Sequence, residues 1–183
     1  MEYSNLFKDS DVNYDNQTVK LIALKDISKM ELAGEEIGPF EENNYMEVKN
    51  WIADGFIKAG LAKLASDVER LNITELQKAQ VKESMQSPRR FSTLPENFYP
   101  KLRKFLKELK EKPDSDPVKM NELKKASKLS ADIISSRLGK ILILSSAEER
   151  DENLLKNLTL EERVLYSTLH RTVNTWRELA VKY

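Results

Sequence analysis

LPENFYPKLRKFLKEL, residues 94–109, decides how the second half of this chain folds. Phe98, Leu102, Phe105, Leu106 and Leu109 recur at steps of 4, 3, 1 and 3, which on a helix builds one apolar stripe. Pro100 fits the first turn if Asn97 is the N-cap, because first-turn amides have no intrahelical acceptor to lose. Pro113 closes this helix. Beyond it, Asp116-Pro117 sets an N-cap residue before proline at the first helical position. No proline follows, and Met120, Leu123, Leu129, Ile133, Ile134, Leu138, Ile141 and Leu142 support a long helix to about Ser146. Gly139 costs that helix about 1 kcal/mol relative to alanine, so a bend or a close approach is expected there. Acidic Glu148 to Glu152 reads as a connector. Thr159 and Glu162 then form a capping box, and Leu165, Leu169, Thr172, Trp176 and Leu179 run down one side of a final helix. Upstream, Asn72 and Glu75 open a helix that ends near Gln86, before Pro88.

Before Ser66 the pattern is different. Residues 1–13 read as a polar tail, and the first structured stretch is Val19 to Ala23, crowded with strand-forming residues. A second strand is expected within Ile27 to Leu32, followed by turns at Gly34 and Gly38-Pro39. From Glu47 to Ala59, the spacing of Val48, Trp51, Ile52, Gly55, Phe56 and Ala59 predicts a helix, with Gly60 as its left-handed terminator. The expected fold class is α+β: a small β-rich domain with one helix over 14–65, then an all-α domain over 66–183.

Composition narrows the function classes. With 183 residues and 40% hydrophobic side chains, the chain can bury a real core. Lys+Arg and Asp+Glu number 30 each, so no net field draws the whole molecule to nucleic acid or an anionic membrane, and any DNA contact must come from a local patch. The absence of cysteine excludes disulfides, thiolate metal sites and cysteine nucleophiles. No apolar run approaches the roughly 18 residues of a membrane span, and no secretory h-region begins the chain, so a cytosolic or nuclear protein is expected.

Catalytic sets are missing. His170 is the single histidine, which rules out a His-based metal cluster and reads as a structural residue on a helix flank. No phosphate loop, dinucleotide fingerprint, zinc-protease or nucleophile-elbow motif occurs. Glu35-Glu36 and Glu41-Glu42 sit in turn-rich sequence as solvated charge, and adjacent acids point apart in either regular structure. No catalytic residue, cofactor or metal is expected. One binding feature is basic: Arg89 and Arg90, then Lys101, Arg103, Lys104, Lys107, Lys110 and Lys112, with Phe91 and Tyr99 nearby. Arg89, Arg90, Lys101 and Lys104 are the candidate phosphate contacts, against the alternative that these lysines form a solvent face. Trp51 and Trp176 each occupy an apolar helix stripe, as core or as subunit interface, and Leu169, Val173 and Trp176 are the interface candidates.

A small β-rich unit holding GPFEENNYMEVKNWIADGFIKAGLAKL, followed by a helical unit holding LPENFYPKLRKFLKEL and LTLEERVLYSTL, resembles the GINS family over roughly Val19 to Leu169. The order of domains resembles the archaeal class equivalent to the eukaryotic Psf-two and Psf-three subunits. Val48-Lys49 stands where the family pattern often has Val-Pro. The resemblance implies a non-catalytic scaffold that activates the MCM helicase in DNA replication, cytoplasmic in an archaeon and nuclear in a eukaryote. It also implies the partners: a permuted GINS subunit in a heterotetramer, the MCM helicase, and a RecJ- or Cdc-type protein. The alternative from the residues alone is a helical nucleic-acid-binding protein using Arg89 to Lys112.

Overall fold

The computed structural model describes residues 2–66, 70–111, 117–148 and 151–182, and the chain divides into two compact units, Met1–Arg70 and Leu71–Tyr183. The class is α+β, with all described strands in the first unit.

The first unit is built on β1 (Thr18–Ala23), whose alternation buries Val19, Leu21 and Ala23. β4 (Tyr45–Lys49) pairs antiparallel on one side, with Val19 opposite Val48 and Leu21 opposite Met46. β5 (Ala62–Leu64) pairs antiparallel on the other, giving the order β4-β1-β5. A separate hairpin joins β2 (Met30–Leu32) to β3 (Glu35–Ile37) through Ala33 and Gly34, both at positive φ (54° and 82°), the backbone of a two-residue type I′ turn. Helix α2 (Asn50–Lys58) lays Ile52, Ala53 and Phe56 onto the sheet's apolar side.

Three expectations change here. Glu47 to Lys49 belong to β4, because Val48 alternates with Met46 on the buried face and pairs with β1, so the helix begins at Asn50. Trp51 then falls outside the buried face and is exposed rather than core. The segment read as a polar tail forms α1 (Glu2–Asp15), whose Tyr14 is buried and whose Tyr14 carbonyl accepts from the Asn50 side chain. Gly60 terminates α2 as expected, at φ 68°, in a full Schellman motif: Gly60 N–H donates to Ile57 and Leu61 N–H to Phe56.

The second unit contains α3 (Ile73–Ser84), α4 (Phe98–Lys110), α5 (Pro117–Ser145), the short α6 (Glu152–Leu155) and α7 (Leu160–Ala180). Asn72 caps α3 through its side chain, and Thr159 with Glu162 forms the complete capping box of α7. Asn97 does precede α4, but at φ 53° and without a side-chain capping bond. The expected stop at Pro113 and the cap at Asp116 lie outside the described residues. α5 runs unbroken through Gly139, where an added Cβ would meet nothing within 4 Å, so the described residues make no close approach there.

Two apolar clusters fill this unit. One gathers Leu76, Ala79, Phe98, Leu102, Leu109, Ala126 and Ile133, and the other Phe91, Ile141, Leu144, Leu155, Leu158 and Tyr166. On α5 the two meet at Arg137, one turn from Ile133 and one turn from Ile141.

Candidate subunit interface

Arg137 is fully buried, and every guanidinium N–H has an acceptor. Nε and Nη2 grip Glu162 in a two-pronged pair at 2.6 and 2.7 Å; Nη1 donates to Glu83 (2.8 Å) and to the Ser92 carbonyl (3.0 Å), and Nη2 also donates to the Asn157 carbonyl (2.9 Å). Glu83 also accepts from Lys140 Nζ at 2.5 Å and from Ser92 Oγ at 2.7 Å. Glu162 accepts from Tyr99 OH at 2.8 Å and, as its half of the capping box, from Thr159 N–H at 3.0 Å. The ring of Phe91 lies 5.0 Å from the guanidinium carbon. Two cations and two carboxylates therefore balance in the core and tie α3, α4, α5 and α7 into one arrangement.

Burial alone would push the Glu83 carboxyl up, but the Lys140 and Ser92 hydrogen bonds and the Arg137 charge outweigh it and hold it below the usual range. Burial likewise disfavours the Arg137 cation, yet the Glu162 bonds and charge raise its pKa. For the Tyr99 hydroxyl, burial comes first and the adjacent Glu162 charge second, and both push its pKa up. These groups are all engaged with one another, which makes them structural glue rather than reactive groups. Sequence reading found Glu162 only as a capping residue and passed over Glu83, Arg137 and Lys140; the usable signal was a pair of cations, Arg137 and Lys140, at positions where the α5 periodicity demands apolar residues.

His170 stacks on Tyr166 with ring centroids 5.5 Å apart. Its Nδ1 lies 3.2 Å from the Ser145 carbonyl and its Nε2 3.1 Å from the Asn174 amide. It closes the junction of α5 and α7. Among the described residues no group of three or more His, Asp or Glu side chains is placed to hold a metal ion, and no helix is long and apolar enough to cross a membrane.

The surface of this unit is less closed than its core. α7 faces the second apolar cluster with Leu165, Tyr166 and Leu169, but α5 ends at Ser145, and Arg177 marks the place by donating to the Ser146 carbonyl at 2.6 Å. The same side of α7 continues through half-buried Val173 to Trp176 and Leu179, which are 70% and 63% exposed. α5 also turns Ile134, Leu138, Leu142 and Ile143 outward; for the first three only the helical spacing, not the direction, was legible in the sequence.

The candidate phosphate contacts differ in exposure and in the elements that carry them. Arg89 and Arg90 are exposed, and Arg89 lines a pocket of about 430 Å³ with Leu144, Asp151, Leu155 and Tyr166. Lys101 and Lys104 are half-buried on α4, the helix that supplies Phe98, Leu102 and Leu109 to the other cluster. Lys112 lies outside the described residues.

No curated protein matches the chain. Residues 67–180, more than half of it, match the family described as the GINS complex protein helical bundle domain. That span holds the capped helices, the Arg137 network and the uncovered end of α7, and on this match the chain belongs to the GINS family.

Proposed function

We propose that this chain is a non-catalytic GINS subunit that joins a permuted GINS subunit in a heterotetramer and, through that assembly, helps hold the MCM helicase and a RecJ- or Cdc-type partner in a productive arrangement during DNA replication. The observation that carries the reading is the α7 surface: Leu169 reaches the core, while Trp176 and Leu179 on the same side are left to solvent. An exposed tryptophan continuing a core stripe suits a subunit interface, where such anchors carry much of the binding energy. The domain order and the wider partners rest on the family resemblance.

Sedimentation of the chain mixed with its permuted counterpart tests this. Trp176→Ala should weaken assembly about thirtyfold, equivalent to about 2 kcal/mol, while the melting temperature of the isolated chain stays unchanged. A wild-type chain that remains monomeric beside its counterpart at high micromolar concentration overturns the reading. The nucleic-acid alternative draws its support from residues 71–183 carrying 22 Lys+Arg against 16 Asp+Glu, and is weakened by the half-burial of Lys101 and Lys104 on α4.

A further inference from the structure

The outward face of α5 changes chemistry halfway along its length. Positions 124, 128, 131, 135, 138 and 142 follow one another at steps of 4 and 3, the seam spacing along which one helix packs on another, and all six are exposed. They read Lys124, Lys128, Ala131, Ser135, Leu138 and Leu142. Lys125 flanks the first half of the seam, and Ile134, Gly139 and Ile143 flank the second. The first half is cationic, with Asp132 as the exposed carboxylate of α5. The second half is apolar, and its small residues leave room for a close backbone, since space beyond Gly139 is open.

A second copy of the chain is a poor occupant. Two α5 helices packed antiparallel about the centre of this seam set Lys124 against Leu142 and Lys128 against Leu138, stripping water from ammonium groups without supplying an anion. Packed parallel and in register, they set lysine against lysine. A different chain escapes both penalties.

We infer that the α5 seam is covered by one amphipathic helix of another subunit, apolar opposite Ala131 to Leu142 and carrying aspartate or glutamate opposite Lys124 to Lys128. The apolar half provides affinity and the charged half fixes which helix docks and in what register, because only one alignment satisfies both. This rests on the reading of the chain as an assembly subunit and names the chemistry of the partner at that surface.

The test uses the full chain, its permuted counterpart, and two sets of substitutions at exposed positions whose melting curves should match wild type. Lys124→Glu, Lys125→Glu and Lys128→Glu together should weaken assembly about tenfold at about 50 mM NaCl, with the deficit shrinking severalfold in about 1 M NaCl as charges are screened. The milder triple change to Gln should fall between. Leu138→Asp with Leu142→Asp should weaken assembly at both salt concentrations. If the leucine pair matters and the lysines do not, the acidic-partner inference is overturned while the assembly reading stands. If neither set matters and the complex still forms, the seam lies outside the interface and the inference is again overturned. If the lysine variant assembles normally but loses binding to a labelled single-stranded oligonucleotide, the lysines serve nucleic acid and the inference fails. If wild type forms no complex, the assembly reading itself fails.

Discussion

At the scale of single residues the decisive feature is Arg137. Removing one member of a buried, hydrogen-bonded ion group leaves its partners charged and dry, which costs about 3–5 kcal/mol, whereas the intact group contributes more to uniqueness of packing than to net stability. Arg137→Met should therefore lower stability in urea titrations by about that amount, and Arg137→Lys should recover little, because an ammonium cannot reproduce the two-pronged grip on Glu162. Loss below 1 kcal/mol would contradict the network's role. Glu83 adds a pH signature. Its folded carboxyl is held below the unfolded value, so its contribution is present above the usual carboxylate range and is lost as pH falls through the folded value. Glu83→Gln should accordingly flatten the acid limb of the stability curve. Residue-level reading of sequence found the caps at Asn72 and Thr159, because a cap is a local pattern, and missed Arg137, because its partners Glu83, Ser92 and Glu162 lie far from it in sequence and only folding brings them together.

At the scale of elements, two glycines make the same substitution run in opposite directions. Gly60 sits at φ 68° with open space around it, so Gly60→Ala meets no clash and its cost is purely conformational, about 1–2 kcal/mol. Gly139 lies inside α5, also with open space, so Gly139→Ala should stabilise the isolated chain by about 1 kcal/mol through helix propensity. Thermal melts of the two variants should shift in opposite directions, and equal signs would contradict the backbone assignments. Long helices were legible in the sequence because periodicity accumulates over 13 residues in α4 and 29 in α5. Strands β3 and β5, three residues each, offer too short a run for any alternation to register. β4 was hidden for another reason: Val48 fits both the period of a strand and that of the helix that follows, and only pairing with Val19 decides between them. α1 escaped notice because its burial rests largely on Tyr14 within an otherwise polar stretch.

At the scale of the whole molecule, overall neutrality conceals a division. Residues 1–70 carry 8 Lys+Arg against 14 Asp+Glu, and residues 71–183 carry 22 against 16, so two compact units of opposite net charge share one chain. Composition of the full sequence could not reveal this, since the two excesses cancel. Both apolar clusters of the second unit, the side-chain caps of α3, α6 and α7, and all the acceptors of Arg137 lie within that unit. A fragment of residues 71–183 should therefore fold alone, unfold cooperatively, and bind a cation exchanger near pH 7, where the intact chain binds weakly. Circular dichroism against temperature and elution from the exchanger check both halves of the statement. A fragment that keeps its helicity but melts without a cooperative transition would mean that the second unit depends on the first for its packing, and the division into two self-sufficient units would fall even though the helices and their caps remained.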